Sequence, residues 1–128
     1  MTTTIDLFDF TKPATKQRML TDERVYDALA TEIYKALEHD ASDEYNETYI
    51  EVKVDDYTAS IEIHFDAEWH KDMMVIDGRS YDLGDWQTTR LTSIAQLEAY
   101  KTYEMADGDE VYIDMDLDIN KLNNMINY

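Results

Sequence analysis

From Thr48 onward the apolar residues of this chain recur at every second position, and that period constrains the fold more than any other feature. Ile50, Val52 and Val54 alternate with Tyr49, Glu51 and Lys53, and Ala59, Ile61, Ile63 and Phe65 alternate with Ser60, Glu62, His64 and Asp66. Successive side chains on a strand point to opposite faces, so each run reads as a strand with one apolar and one polar side. The two are expected to join as a hairpin near Asp55 and Asp56.

Before this region the period is helical. Thr21 to Glu38 places Val25, Leu29, Ile33, Ala36 and Leu37 on one stripe, with Thr21 as the expected N-cap and Asp22 and Glu23 complementing the dipole. After it come two Asp-Gly pairs. Asp77-Gly78 between Met73–Ile76 and Arg79–Tyr81 predicts a tight hairpin, because both residues tolerate positive φ. Asp107-Gly108 precedes a further strand with Val111, Ile113, Met115 and Leu117 on one face and Tyr112, Asp114, Asp116 and Asp118 on the other.

Leu91 to Glu104 is compatible with two readings: Leu91, Ile94, Ala95 and Leu97 suit a helix, whereas Leu97, Ala99, Tyr103 and Met105 suit a strand. We favour the strand, which the second Asp-Gly turn would pair with the last one. Ile119 to Ile126 suggests a short C-terminal helix. The whole reads as one α+β domain over 1–128, a mainly antiparallel sheet of about five or six strands with both helices packed on one face.

The chain has 128 residues, enough for one core, and its 44% hydrophobic content separates it from a disordered acidic tail. It is nonetheless strongly acidic, with 29 Asp and Glu against 11 Lys and Arg and a net charge of -18. The first 40 residues hold eight acids and five bases, a balance of -3, so the remaining -15 belongs to the sheet-forming part. Direct binding to nucleic acid or to an anionic membrane surface is disfavoured by such charge. Cysteine is absent, which excludes disulfides and thiolate metal sites. Met1 to Phe10 carries Asp6 and Asp9 and no basic residue, unlike a secretory leader, and a cytoplasmic protein is the expectation.

The alternation sends much of the acid to the wet face of the sheet. Glu51, Asp55, Glu62, Asp66, Glu68, Asp114, Asp116 and Asp118 would form a lattice with ~6.6–6.8 Å between alternate residues and ~4.8 Å between strands. A solvated face accounts for carboxylates without any partner. A surface chosen only for solubility could use more lysines, however, and like charges on adjacent strands are destabilising. The expected partner-binding set is Tyr49, Glu51, Glu62, Asp66, Glu68, Tyr112, Asp114, Asp116 and Asp118. Its partner would be a basic protein, in the sharpest form a nucleic-acid-binding one deceived by a mimic, as with inhibitors carried by mobile elements.

Two other classes compete. His64, Asp66, Glu68 and His70 share a strand face and offer ligands for zinc, manganese or iron, the basis of a small metal-dependent enzyme. The two histidines would lie ~20 Å apart on a straight strand, so only neighbours could chelate together. The third class is a structural or assembly subunit, a homo-oligomer included, whose acidity is solubilising. Asp114 to Asp118 resembles the start of a calcium loop, but Ile119 stands where glycine is needed and Met125 where the final Glu is needed. No Gly-x-Ser-x-Gly elbow and no glycine-rich phosphate loop occur, so no catalytic residue, metal or cofactor is assigned.

Overall fold

A computed structural model describes residues 18–128. The targeting reading of Met1 to Phe10 lies outside them. Helix α1 (Glu23–His39) is followed by β1 (Tyr45–Val54), β2 (Tyr57–His70), β3 (Met73–Ile76), β4 (Arg79–Asp82), β5 (Asp85–Glu104), β6 (Glu110–Asp114) and α2 (Ile119–Met125). The fold is α+β. Its six strands divide into a four-stranded antiparallel sheet of order β1-β2-β5-β6 and a separate two-stranded ribbon, β3-β4.

Helix α1 forms where the sequence places it, with one local difference. Asp22, not Thr21, is the N-cap: its carboxylate accepts from the Arg24 backbone N–H, satisfying one of the orphan donors of the first turn. The Arg24 guanidinium then reaches Asp22 at 2.7 Å and Asp55 at 2.5 Å, tying the helix start to the β1-β2 turn. These bonds hold the Asp22 carboxyl below the usual aspartate range.

The buried stripe of α1, from Val25 and Tyr26 to Ala36 and Leu37, lies on one face of the sheet against Ile50, Val52, Ala59, Ile61, Ile63 and Phe65. Helix α2 closes the same side through Leu122, which is fully buried. Tyr26 joins these layers with its hydroxyl, donating to the Leu20 carbonyl and accepting from the Asp118 N–H. Burial raises the Tyr26 pKa above its ordinary value. Thr88 on β5 donates to the Leu37 carbonyl at the far end of α1.

Leu91 to Glu104 is strand, the second half of the 20-residue β5. Its register against β2 shifts at three places, where Thr89, Thr92 and Leu97 are the extra residues. Each shift is a bulge that sets two residues against one. The Thr89 and Thr92 hydroxyls donate to the Asp66 and His64 carbonyls of β2.

The last strand is shorter than its alternation suggests. It stops at Asp114, and the Gln96 side chain draws the chain away by donating to the Met115 carbonyl and accepting from the Leu117 N–H. Asp116 instead exchanges backbone hydrogen bonds with the Arg18 to Leu20 segment.

β2 and β5 outrun their neighbours. β1 pairs no further than Asp66, so from Ala67 to Thr88 the chain is a two-stranded arm, continued by β3-β4 to the Asp77-Gly78 turn. Asp77 and Gly78 both have positive φ, 53° and 78°, as a tight hairpin turn of mirror-image type requires. At the foot of the arm Trp69 and Trp86 meet edge to face, with centroids 5.6 Å apart. Between the two ribbon segments, the Asp82 carboxylate accepts from the Trp69 indole N–H and from the backbone N–H groups of Asp72 and Gly84.

Candidate functional site

The sheet face turned away from α1 and α2 is the candidate site, and no element among the described residues packs on it. Its membership follows from register. Across β1, β2 and β5 the rows read Tyr45, Asp66, Arg90; then Glu47, His64, Ser93; then Tyr49, Glu62, Ala95; then Glu51, Ser60, Glu98. The next row, Lys53, Thr58 and Tyr100, continues onto Asp114 of β6, after which Thr102 meets Tyr112 and Glu104 meets Glu110. On the arm the same face carries Glu68 opposite Gln87 and His70 opposite Asp85.

This one face thus gathers ten carboxylates: Glu47 and Glu51 from β1, Glu62, Asp66 and Glu68 from β2, Asp85, Glu98 and Glu104 from β5, and Glu110 and Asp114 from β6. The cations among them are Lys53 and Arg90, and Arg90 is engaged with Asp66 at 3.0 Å. Glu104 and Glu110 stand directly opposite each other, a pairing that costs stability.

Aromatic rings are set into the carboxylate field. Tyr45 is 79% exposed and Tyr112 60% exposed, and Tyr112 also packs edge to face on Tyr100 with centroids 5.3 Å apart. The Tyr49 hydroxyl lies 3.1 Å from Glu51 and 3.2 Å from the Ser60 hydroxyl.

Of the nine residues expected to bind a partner, Tyr49, Glu51, Glu62, Asp66, Glu68, Tyr112 and Asp114 share this face. Asp116 and Asp118 do not. Asp116 lies beyond the end of β6, and Asp118 is the N-cap of α2, its carboxylate accepting from the Lys121 backbone N–H. Asp55 sits in the β1-β2 turn at the rim, paired with Arg24. The face also includes Glu47, Asp85, Glu98, Glu104 and Glu110, which the sequence reading left out. Glu47 needed β1 to start at Tyr45, before the clear alternation, and the β5 acids were hidden by bulges that reset the parity.

The histidine-carboxylate strand is rearranged in a way its sequence does not show. His64 meets Glu47 across the strands and Glu62 along its own, and the three ligand atoms lie within 4.8 Å of one another. Glu47 faces Nδ1 and Glu62 faces Nε2, each at 3.8 Å. The imidazole therefore stands between two carboxylates, each nitrogen addressing one. An imidazole gives a metal one nitrogen, so in this arrangement one of the two carboxylates, and not both, would join it on an ion. Asp66 is drawn to Arg90, and Glu68 and His70 are exposed further along the arm.

No protein-family model, curated protein or solved structure matches this chain. No helix among the described residues is long and apolar enough to cross a membrane.

Proposed function

We propose that this is a non-catalytic binding protein of the cytoplasm, which engages a basic protein partner by laying the open sheet face against it. In its sharpest form the face substitutes for the phosphates of a nucleic acid and occupies the groove of a DNA- or RNA-binding protein. The observation that carries this reading is the imbalance of one surface: ten carboxylates against two cations on a face that no described element covers.

Strand spacing of ~4.8 Å and alternate-residue spacing of ~6.6–6.8 Å give a charge density of the same order as phosphates, which recur every ~3.4 Å along each strand of DNA. The likeness is one of density and sign, not of register. Exposed Tyr45, Tyr49 and Tyr112 add rings with polar tips, the residue type favoured where an interface is part apolar and part wet.

The test is displacement of labelled duplex DNA or RNA from a panel of basic nucleic-acid-binding proteins, repeated along a salt series. Displacement should weaken steeply with salt. A triple variant, Glu51→Gln, Glu62→Gln and Asp114→Asn, should weaken it by about tenfold or more, equivalent to ~1.4 kcal/mol. Asp27→Asn with Glu38→Gln, on exposed positions of α1, should leave it unchanged. Equal losses from both variants, or a panel without any salt-sensitive partner, would overturn the proposal.

A further inference from the structure

The arm has a different surface chemistry from the face. All four residues of β3, Met73, Met74, Val75 and Ile76, are apolar and exposed, Val75 at 69%, and the four residues of β4 are exposed as well. A two-stranded ribbon standing alone in water is marginally stable, and an apolar strand edge without lysine, proline or bulge is open to pairing. β3 carries none of those three protections.

The hydrogen-bond parity of the hairpin identifies which groups are free to pair. A two-residue turn closes on a hydrogen-bonded pair, here Ile76 with Arg79, and bonded pairs then recur at every second residue. The Leu83 N–H to Asp72 carbonyl bond of 2.8 Å fits that phase. Met73 and Val75 therefore direct their N–H and C=O groups away from β4.

We infer that β3 pairs with β3 of a second copy of this chain, antiparallel and about a two-fold axis, to make a four-stranded sheet of order β4-β3-β3-β4. With the axis at Met74, Met73 of each copy lies opposite Val75 of the other and the two Met74 side chains meet at the centre. No charged residue of β3 opposes another, because β3 has none.

Charge selects the second copy over a basic partner as the occupant. Residues 71–83 hold Lys71 and Arg79 against Asp72, Asp77 and Asp82, a balance of -1, whereas the chain as a whole carries -18. The arm is thus far less acidic than the sheet face, so two acidic copies can approach there with little repulsion, and it offers a cationic surface little attraction. An isologous contact also needs self-complementarity, which an antiparallel apolar strand has.

The edge is four residues long, so the association belongs with small, weak interfaces and should be seen at high micromolar concentration. Sedimentation equilibrium of the full chain should give a species of twice 15.0 kDa, favoured by added salt, which screens repulsion between the copies. Val75→Pro removes an outward N–H and leaves the hairpin ladder intact, and Met74→Lys places two ammonium groups together at the axis. Each should raise the dimer dissociation constant about tenfold or more without changing the far-ultraviolet circular dichroism of the monomer. A wild-type chain that stays at 15.0 kDa at high salt and concentration, or two folded variants that dimerise as the wild type does, would overturn the inference.

Discussion

Asp82 shows how one side chain can hold an element with no core of its own. Its carboxylate gathers the Trp69 indole N–H at 2.8 Å and the Asp72 and Gly84 amides at 3.1 and 3.0 Å. These three donors, the indole first, hold its pKa below the usual aspartate range. A carboxyl depressed by folding contributes stability that is complete above its unfolded pKa, about 3.9, and is lost as pH falls through the folded value. Acidification below pH ~4 should therefore release the foot of the arm, seen as a step in the NMR shift of the Trp69 indole proton, and Asp82→Asn should abolish that step. A wild-type indole signal that stays flat through the carboxylate range would refute it. Asp118 carries two competing sequence signals. Alternation assigned it to the strand face, yet an Asp just before the helical run from Ile119 was also a legible N-cap signal. What decided between them was the bonding of the Gln96 side chain to Met115 and Leu117, about twenty residues away in sequence, which no local pattern contains.

Among the elements, β5 explains why its own sequence suited two structures. Its helix-facing residues are Trp86, Thr88, Leu91, Ile94, Gln96 and Ala99, and each bulge stretches the interval from two residues to three. Intervals of three are also what a helix shows, so the Leu91 to Ile94 spacing imitates one. β1 and β2 pair with each other without a register shift, and their alternation was readable directly; so were α1 and the Asp77-Gly78 hairpin. The arm was legible as a hairpin but not as a protrusion, because its isolation depends on where β1 stops. Two substitutions should separate arm from sheet. Phe65→Ala empties a site that is 1% exposed and should cost about 3–5 kcal/mol in urea denaturation. An added Cβ at Gly84 would overlap the His70 carbonyl oxygen, so backbone must move. Gly84→Ala should therefore speed amide exchange from residue 71 to 83 while leaving the urea midpoint of the main sheet within ~0.5 kcal/mol of wild type.

At the scale of the whole molecule, charge acts on stability and on recognition with opposite signs. A net charge of -18, much of it on one face with Glu104 opposite Glu110, makes the folded state repel itself, and salt relieves this. The melting temperature should rise between ~0.01 and ~0.5 M NaCl, where the Debye length shrinks from ~30 Å to a few ångströms. A gain of ~1 kcal/mol would read as about 3–5 °C for a chain of this size; a melting temperature that falls with salt would contradict it. Because the fold strengthens as salt rises, a partner lost over the same range is lost from its binding surface and not through unfolding. The arm has one more consequence. The chain contains two tryptophans, and both stand at the arm's foot, while the buried aromatic residues of the core are Tyr26 and Phe65. Indole emission from this protein is a report on the arm. An unfolding curve followed by that emission records the arm's release, and the melting of the core passes unseen by it unless the two events coincide.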